Sequence, residues 1–263
     1  MKNLNFNKND IFNMGDYSKS FEDTSNSLEL IIENSEIIQK GEKIIITPNG
    51  MLNSQKINKK NNIVLFGYFS DKLEKNKLDY ILPNKKNNEN SKDNNEGIFF
   101  CIYFKFECQK YFIKDYENGN GTFIKINSKI SIKDNTLINI GDSYLIFTFN
   151  NKDNKENNIF IKAYSGIINY QPMNFKTLKN KIFTIGRSED GDVILQDKML
   201  SRIHCILIYE EEEGWFIKDG NEIGQPSTNG TWIFAYDEFE IYDNMLFKSN
   251  CSLFSCHLKD IKK

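Results

Sequence analysis

The sequence predicts an all-β protein made of two β-sandwich domains in tandem. Apolar and β-branched residues occur in short runs that are separated by Gly, Asn and Asp turns, without helical periodicity. Short motifs of the first half recur in the second half, as expected for two copies of one domain. A chain of 263 residues with 39% hydrophobic residues is long enough for two packed cores.

The repeat rests on two motifs and on the register between them. Phe112-Ile113-Lys114-Asp115 recurs as Phe216-Ile217-Lys218-Asp219, and Asn120-Gly121-Thr122 recurs as Asn229-Gly230-Thr231. From the second motif onward, a constant offset of 109 residues aligns the Asp-Asn pair at 134–135 with that at 243–244. The same offset aligns two alternating apolar sets, which are Leu145, Phe147 and Phe149, and Phe254, Cys256 and Leu258.

Polar segments set the expected domain boundaries. Residues 1–26 lack a helical period and are predicted to form a mobile N-terminal tail. The stretch 84–96 is predicted to be an inserted loop of the first sandwich, which spans residues 27–150. Residues 151–157 are predicted to be a polar linker before the second sandwich at 158–263. Expected strands of the second copy lie at 181–185, 193–195, 205–209, 215–218 and 231–234.

Composition narrows the classes of partner. A net charge of -2 and a pI of about 5.9 argue against a general nucleic-acid surface or an anionic-membrane surface. The longest apolar runs have the length of strands, so we expect no membrane span. Five scattered cysteines without a signal-peptide pattern indicate reduced thiols, and we expect an intracellular protein of nucleus or cytoplasm without a cofactor.

The two arginines are the most informative residues of the chain. Of 34 basic residues only Arg187 and Arg202 are arginine, and they stand fifteen positions apart. The planar guanidinium donates to phosphate or carboxylate oxygens in pairs and stays charged at every physiological pH. The sequence therefore predicts an anion pocket formed by these two loops.

The second copy resembles a forkhead-associated (FHA) domain. The resemblance rests on Gly-Arg-Ser at 186–188, Ser-Arg-Ile-His at 201–204, Trp-Phe-Ile-Lys-Asp at 215–219 and Ser-Thr-Asn-Gly-Thr at 227–231. It covers roughly residues 158–260. It implies a β-sandwich of about eleven strands that binds a threonine-phosphorylated protein or peptide with loops at one end.

The resemblance also implies roles for individual residues. Arg187 and Ser201 would contact the phosphate, Arg202 would add charge or contact the peptide main chain, and Thr228 would donate from the later loop. Asn229 would hold the peptide backbone. Gly186, His204 and Gly230 would support the binding loops without contacting the ligand.

The first copy departs from this pattern at the positions that would meet phosphate. Tyr68 aligns with Arg187, and an offset of 104 from the Phe-Ile-Lys-Asp motif places Gly97, Ile98 and Phe100 opposite Ser201, Arg202 and His204. Gly119 aligns with Thr228. We therefore expect a degenerate copy that binds no phosphate and serves as a structural or protein-contact partner, although Lys92 in the inserted loop is an alternative cation.

Two other groups of residues contain side chains that are used in catalysis or metal binding. Ser201, His204 and Asp219 contain the residue types of a hydrolase triad, but no nucleophile elbow surrounds Ser201. Cys251, Cys256 and His257 lie close together, but no second cysteine pair has the spacing of zinc ligands. The sequence thus favours a non-enzymatic phosphothreonine-binding adaptor without a metal. The alternative is a phosphate-independent scaffold or dimerisation module.

Overall fold

The computed structural model describes residues 26–36, 38–52, 62–68, 78–82, 97–116, 119–149, 158–166, 168–176, 182–211 and 213–260. These residues form strands, turns and loops without a helix, which confirms the predicted all-β class. The strands are β1 (Asn26–Ser35), β2 (Lys43–Thr47), β3 (Gly50–Met51), β4 (Ile63–Tyr68), β5 (Tyr80–Ile81), β6 (Gly97–Lys105), β7 (Lys110–Asp115), β8 (Thr122–Lys125), β9 (Ile130–Ser131), β10 (Thr136–Ile140), β11 (Ser143–Phe149), β12 (Ile159–Ser165), β13 (Ile168–Asn169), β14 (Met173–Phe175), β15 (Ile182–Gly186), β16 (Val193–Ile194), β17 (Cys205–Glu210), β18 (Gly214–Asp219), β19 (Thr231–Phe234), β20 (Phe239–Glu240), β21 (Leu246–Ser249) and β22 (Ser252–Asp260).

The strands form one long sheet and two short ones. The long sheet has twelve strands in the order β13-β12-β11-β10-β19-β8-β21-β22-β1-β2-β3, with β14 beside β12. The short sheets have the orders β16-β15-β17-β18-β9 and β20-β7-β6-β4-β5. Apolar side chains join the layers, since the ring of Phe100 lies 5.4 Å from that of Phe247, and Phe175 lies 4.9 Å from Phe183. Each short sheet thus completes a β-sandwich with one half of the long sheet, as predicted.

Each sandwich contains eleven of the described strands. The split sandwich, as we call it, consists of β1–β8 together with β20–β22, because β20 pairs with β7, β21 with β8, and β22 with β1. The central sandwich consists of β9–β19, because β9 pairs with β18, β10 with β19, and β11 with β12. The last three strands of each sequence copy therefore complete the sandwich of the other copy.

Each sandwich therefore contains strands from both sequence copies, whereas the sequence predicted one sandwich for each copy. Residues 151–157, predicted to be a linker, lie outside the described residues, but Phe149 before them pairs with Ile159 after them. The segment therefore joins neighbouring strands of the central sandwich. The chain passes between the two sandwiches at 126–129 and again at 235–238. The ranges 27–150 and 158–263 remain predictions about the repeat in the sequence.

The two sandwiches meet at a symmetric seam between β8 and β19. Ile124 lies opposite Ile233, with Lys125 opposite Trp232 on one side and Phe123 opposite Phe234 on the other. The offset of 109 residues converts one flanking pair into the other, so a pseudo-twofold axis passes between the two isoleucines. Because these two neighbouring strands are antiparallel, the loop before β19 and the loop before β8 lie at opposite ends of the strand pair.

Burial follows the alternation expected of strands. In β12, Ile159, Ile161 and Ala163 are fully buried and alternate with residues that are more exposed. The predicted tail lies outside the described residues except for Asn26, and the predicted loop at 84–96 lies outside them entirely. Within the described part of the chain, no helix could cross a membrane.

Candidate functional site

Gly186 brings two loops of the central sandwich together at the end of β15. A Cβ atom at this position would lie only 2.2 Å from the carbonyl oxygen of Arg202, so any larger residue would push the strands apart. Immediately beyond, Arg187 N donates to Ser201 O over 3.2 Å and Ser188 N donates to Arg202 O over 3.1 Å. The two backbones therefore place Arg187 beside Ser201.

Arg187 is exposed and partly anchored. Its Nε–H donates to the carbonyl oxygen of Leu200 over 2.7 Å, which fixes the direction of the guanidinium. An arginine has five N–H donors, so this bond uses one and orients the rest of the fork. Arg202 is also exposed, on the adjacent loop. The predicted pair of guanidinium groups thus lies on a solvent-facing surface.

Ser201, Thr228 and Asn229 join the loop before β17 to the loop before β19. Thr228 N donates to Ser201 Oγ over 3.0 Å, and the two hydroxyl oxygens lie 3.3 Å apart. Asn229 Nδ2 donates to the carbonyl oxygen of Met199 over 2.7 Å. Thr228 and Asn229 are exposed, and Ser201 is half-buried. The structure therefore brings Arg187, Ser201 and these two residues, predicted from separate motifs, to one end of the central sandwich.

His204 supports these loops from beneath. Its side chain is fully buried, and its Nδ1 accepts a hydrogen bond of 3.2 Å from Ser201 N. Its Nε2 lies 3.0 Å from the carbonyl oxygen of Gly230, which requires the tautomer with a proton on Nε2. Burial lowers the pKa of His204 below its ordinary value and favours this neutral form.

Asp219 holds the loop before β19, a role that we did not predict from the sequence. Its Oδ1 accepts from Ser227 Oγ over 2.6 Å and from Thr231 Oγ1 over 2.7 Å, and its Oδ2 accepts from Ser227 N over 3.1 Å. Ser227 Oγ in turn accepts from Gly230 N, whose residue has a φ of 76°. Asp219 ends a motif that recurs at Asp115, and that repetition was the available sequence signal.

The part of the chain that forms this site matches a known protein family. Residues 183–243, which run from β15 past β20, match the family model described as FHA domain. The chain contains an FHA domain. The match includes every residue of the predicted binding set, and FHA domains are phosphopeptide-binding modules for protein interaction. No curated protein and no solved structure matched the chain.

Hydrogen bonding in the FHA loops differs from that of a hydrolase triad. His204 Nδ1 accepts from the backbone of Ser201, whereas the Ser201 hydroxyl lies beside Thr228. The carboxylate of Asp219 accepts from Ser227 and Thr231. In a triad the histidine accepts from the serine hydroxyl and donates to the carboxylate. These contacts hold two loops in place.

Strand pairing at the corresponding end of the split sandwich shows that the sequence alignment of the two copies was wrong by one residue in this region. Phe100 pairs with Asp115 whereas Cys205 pairs with Asp219, so Phe99 and not Phe100 corresponds to His204. The reason is the hairpin that lies between these residues and the Phe-Ile-Lys-Asp motif. It has four residues between Lys105 and Lys110 in the first copy but three between Glu210 and Gly214 in the second. By the same shift, Gly97 corresponds to Arg202, and position 96, opposite Ser201, lies outside the described residues.

Aromatic rings occupy this end of the split sandwich. Tyr68, the counterpart of Arg187, is only 8% exposed, and its ring meets that of Phe99 edge-on at 4.7 Å. Burial raises the pKa of Tyr68 to about 12. A Cβ atom on Gly119, the counterpart of Thr228, would lie 3.0 Å from the ring of Phe99. Packing therefore replaces the polar cluster of the FHA domain.

Proposed function

We propose that this protein is a non-catalytic adaptor whose FHA domain binds a threonine-phosphorylated protein or peptide through Arg187, Ser201, Arg202, Thr228 and Asn229. The observation that carries the proposal is the convergence of exposed cationic and hydroxyl donors from three loops over one buried histidine. Phosphothreonine carries about -1.5 to -2 charges and three strong acceptor oxygens, which such a cluster matches.

The energy of these contacts is sufficient for a switch. If Arg187, Ser201 and Thr228 each donate one charge-assisted hydrogen bond of about 1.5 kcal/mol, they favour the phosphorylated peptide on the order of a thousandfold. Arg202 adds charge beside the phosphate or binds the peptide main chain, and Asn229 orients that chain. Binding then reports whether a threonine kinase has acted on the partner.

The split sandwich acts in this proposal as a degenerate FHA-like partner. Tyr68 and Phe99 replace Arg187 and His204, and both are buried in packing contacts. A buried aromatic pair offers no cation to a phosphate. This sandwich supports the central sandwich or contacts another protein. We place the adaptor inside the cell, in nucleus or cytoplasm, without a cofactor and without direct contact to nucleic acid or membrane.

A phosphate-independent scaffold is the alternative, and Arg187 discriminates between the two functions. A scaffold that binds through its sheet faces does not need an exposed guanidinium at this loop. An adaptor that recognises phosphate loses its ligand when that guanidinium is removed.

The test is capture of an oriented phosphothreonine peptide library by the full chain. Unphosphorylated peptides, an Arg187→Ala chain and a Lys162→Ala chain serve as comparisons, because Lys162 is an exposed cation in mid-strand of the same sandwich. We expect phosphate-dependent capture by the wild type and Lys162→Ala, and loss of capture in Arg187→Ala. Equal capture of both peptide forms by all three chains would support the scaffold instead.

A further inference from the structure

Asp197 connects the binding loop of the FHA domain to a hairpin from the other sequence copy. It is 6% exposed, and its Oδ2 accepts from Asp142 N over 2.9 Å and from Ser143 Oγ over 2.7 Å. Its Oδ1 accepts from Met199 N over 2.8 Å. The carbonyl oxygen of Met199 holds Asn229, so one carboxylate links the turn between β10 and β11 to two loops of the site.

Gly141 makes this contact possible. Its φ is 53°, and a Cβ atom there would lie 2.9 Å from Asp197 Oδ2 and 3.0 Å from Met199 Cβ. Both distances are shorter than ordinary van der Waals contact, and the neighbours are held by hydrogen bonds. The turn under the binding loop therefore requires glycine.

The corresponding turn between β21 and β22 carries Asn250, which fits the other sandwich. Asn250 stands 109 residues after Gly141 and has a similar φ of 51°. Its Oδ1 accepts from Asn120 N over 3.0 Å. It also fills the space beside Gly119, where a Cβ would lie 2.7 Å from that oxygen. The two turns have a similar backbone conformation. The glycine of one turn suits the central sandwich, and the asparagine of the other suits the split sandwich.

We propose that Asp197 is a positioning residue of the phosphopeptide site and that the unlike turn residues, Gly141 and Asn250, select the exchange of strands between the two sandwiches. If β20–β22 completed the central sandwich instead, Asn250 would take the place of Gly141, and its side chain would crowd the carboxylate of Asp197. The binding unit therefore comprises both sequence copies. The part that concerns the ligand rests on the proposed function, whereas the part that concerns the exchange does not.

Amide hydrogen exchange of the full chain tests the positioning role without any peptide. Asp197→Ala and Gly141→Asn should each accelerate exchange at 140–143 and at 198–202, while the paired amides of β17 and β18 keep their protection. Asp134→Ala is the matched control, because Asp134 Oδ1 accepts from Phe149 N on the same hairpin, away from the site loops. Wild-type exchange at 198–202 in both Asp197→Ala and Gly141→Asn would overturn the positioning role.

Phosphopeptide affinity, measured with a peptide selected from the library, gives the second readout. Asp197→Ala should weaken binding about tenfold or more, because the three hydrogen bonds of the carboxylate are lost. Gly141→Asn should weaken binding as well, because the added Cβ would displace that carboxylate. Asn250→Gly should leave the affinity unchanged. If the wild type captures no phosphopeptide, the proposed function fails, but the amide-exchange result still decides the role of Asp197.

Cleavage of the full chain tests the exchange itself. Residues 151–157 are replaced by a protease recognition sequence, and the cut protein is examined by gel filtration under native conditions. Because each half supplies three strands to the sandwich of the other, we expect the halves to elute together at the mass of the intact chain. Separation into two folded halves would overturn the exchange.

Discussion

Lys248 Nζ donates to Asn139 Oδ1 over 2.5 Å, although these two residues occupy corresponding positions 109 residues apart in the chain. The ammonium also lies 4.7 Å from the centre of the Trp232 ring and 5.7 Å from that of Phe123, which are corresponding residues as well. Contacts between corresponding residues arise where a pseudo-twofold axis passes. Trp232 Nε1 donates to Asn229 O, so the seam between the sandwiches directly adjoins the binding loop.

We expect Lys248 to make stability depend on alkaline pH. Burial lowers its pKa from 10.5 to about 8. Between these values the unfolded chain keeps the proton that the folded chain releases, so the free energy of unfolding rises with pH across this window. Lys248→Met should lack this rise. The measurement is urea unfolding of both proteins at several pH values between 7 and about 10.5, with Lys162→Met as the exposed-lysine control; parallel profiles for wild type and Lys248→Met would contradict the assignment.

His204→Phe should fold but loosen the site, because Phe99 already occupies the corresponding position of the split sandwich. The substitution removes an acceptor for Ser201 N and a donor to Gly230 O, at about 1–3 kcal/mol for each buried group left unpaired. We expect phosphopeptide affinity to fall about tenfold or more while β-sheet circular dichroism is retained.

The same variant should change the response to acid. The pKa of His204 is lowered in the folded state, so its contribution to stability is complete above the ordinary pKa of about 6.5 and is lost as pH falls through the folded value. Thermal unfolding without peptide, between pH 7.5 and 5, should show a steeper loss for the wild type than for His204→Phe. Equal slopes would mean that His204 is not held neutral by burial.

Asp219→Ala should weaken binding although Asp219 is not expected to contact the ligand. It removes the acceptor for Ser227 N, Ser227 Oγ and Thr231 Oγ1, and we expect the free energy of unfolding to fall by about 3 kcal/mol. Asp243→Ala is the matched control, because Asp243 Oδ1 accepts from Leu258 N in the split sandwich. Peptide titration should show lost affinity for Asp219→Ala alone, and unchanged affinity there would remove Asp219 from the site's support.

Tyr68→Arg should not restore a second phosphate site. The arginine would stand where a buried ring packs on Phe99, and Gly119 supplies no hydroxyl in place of Thr228. We expect loss of about 2–4 kcal/mol of stability, since a charge enters a packed position. In an Arg187→Ala background the variant should capture no phosphopeptide; capture there would show that the split sandwich keeps a usable pocket.

The sequence predicted much of the candidate site because its residues lie in short motifs whose order survives any exchange of strands. Arg187, Ser201, Thr228 and Asn229 lie together at one end of the central sandwich, and Gly186, His204 and Gly230 contact the same loops, whereas their roles in binding stay predictions. Asp219 was missed because its three bonds depend on how a loop folds back, which spacing alone does not reveal.

The exchange of strands was beyond sequence reasoning for a physical reason. The last strands of both copies share an alternating apolar pattern, and this pattern does not indicate which sandwich each set of strands covers. The turn residues Gly141 and Asn250 do differ between the two sets, but the contacts that they make are with residues distant in the chain. The one-residue error in aligning Phe100 with His204 had a similar origin, because a longer hairpin at 106–109 left both flanking motifs intact.

The most direct test of the central claim is the affinity of the full chain for one library-selected peptide in its phosphothreonine and threonine forms, measured by fluorescence anisotropy for wild type and Arg187→Ala. We expect a preference for the phosphorylated form on the order of a thousandfold in the wild type, and a fall of that preference by about tenfold or more in Arg187→Ala. An equal preference in the two proteins, or none in the wild type, would contradict phosphate recognition at Arg187.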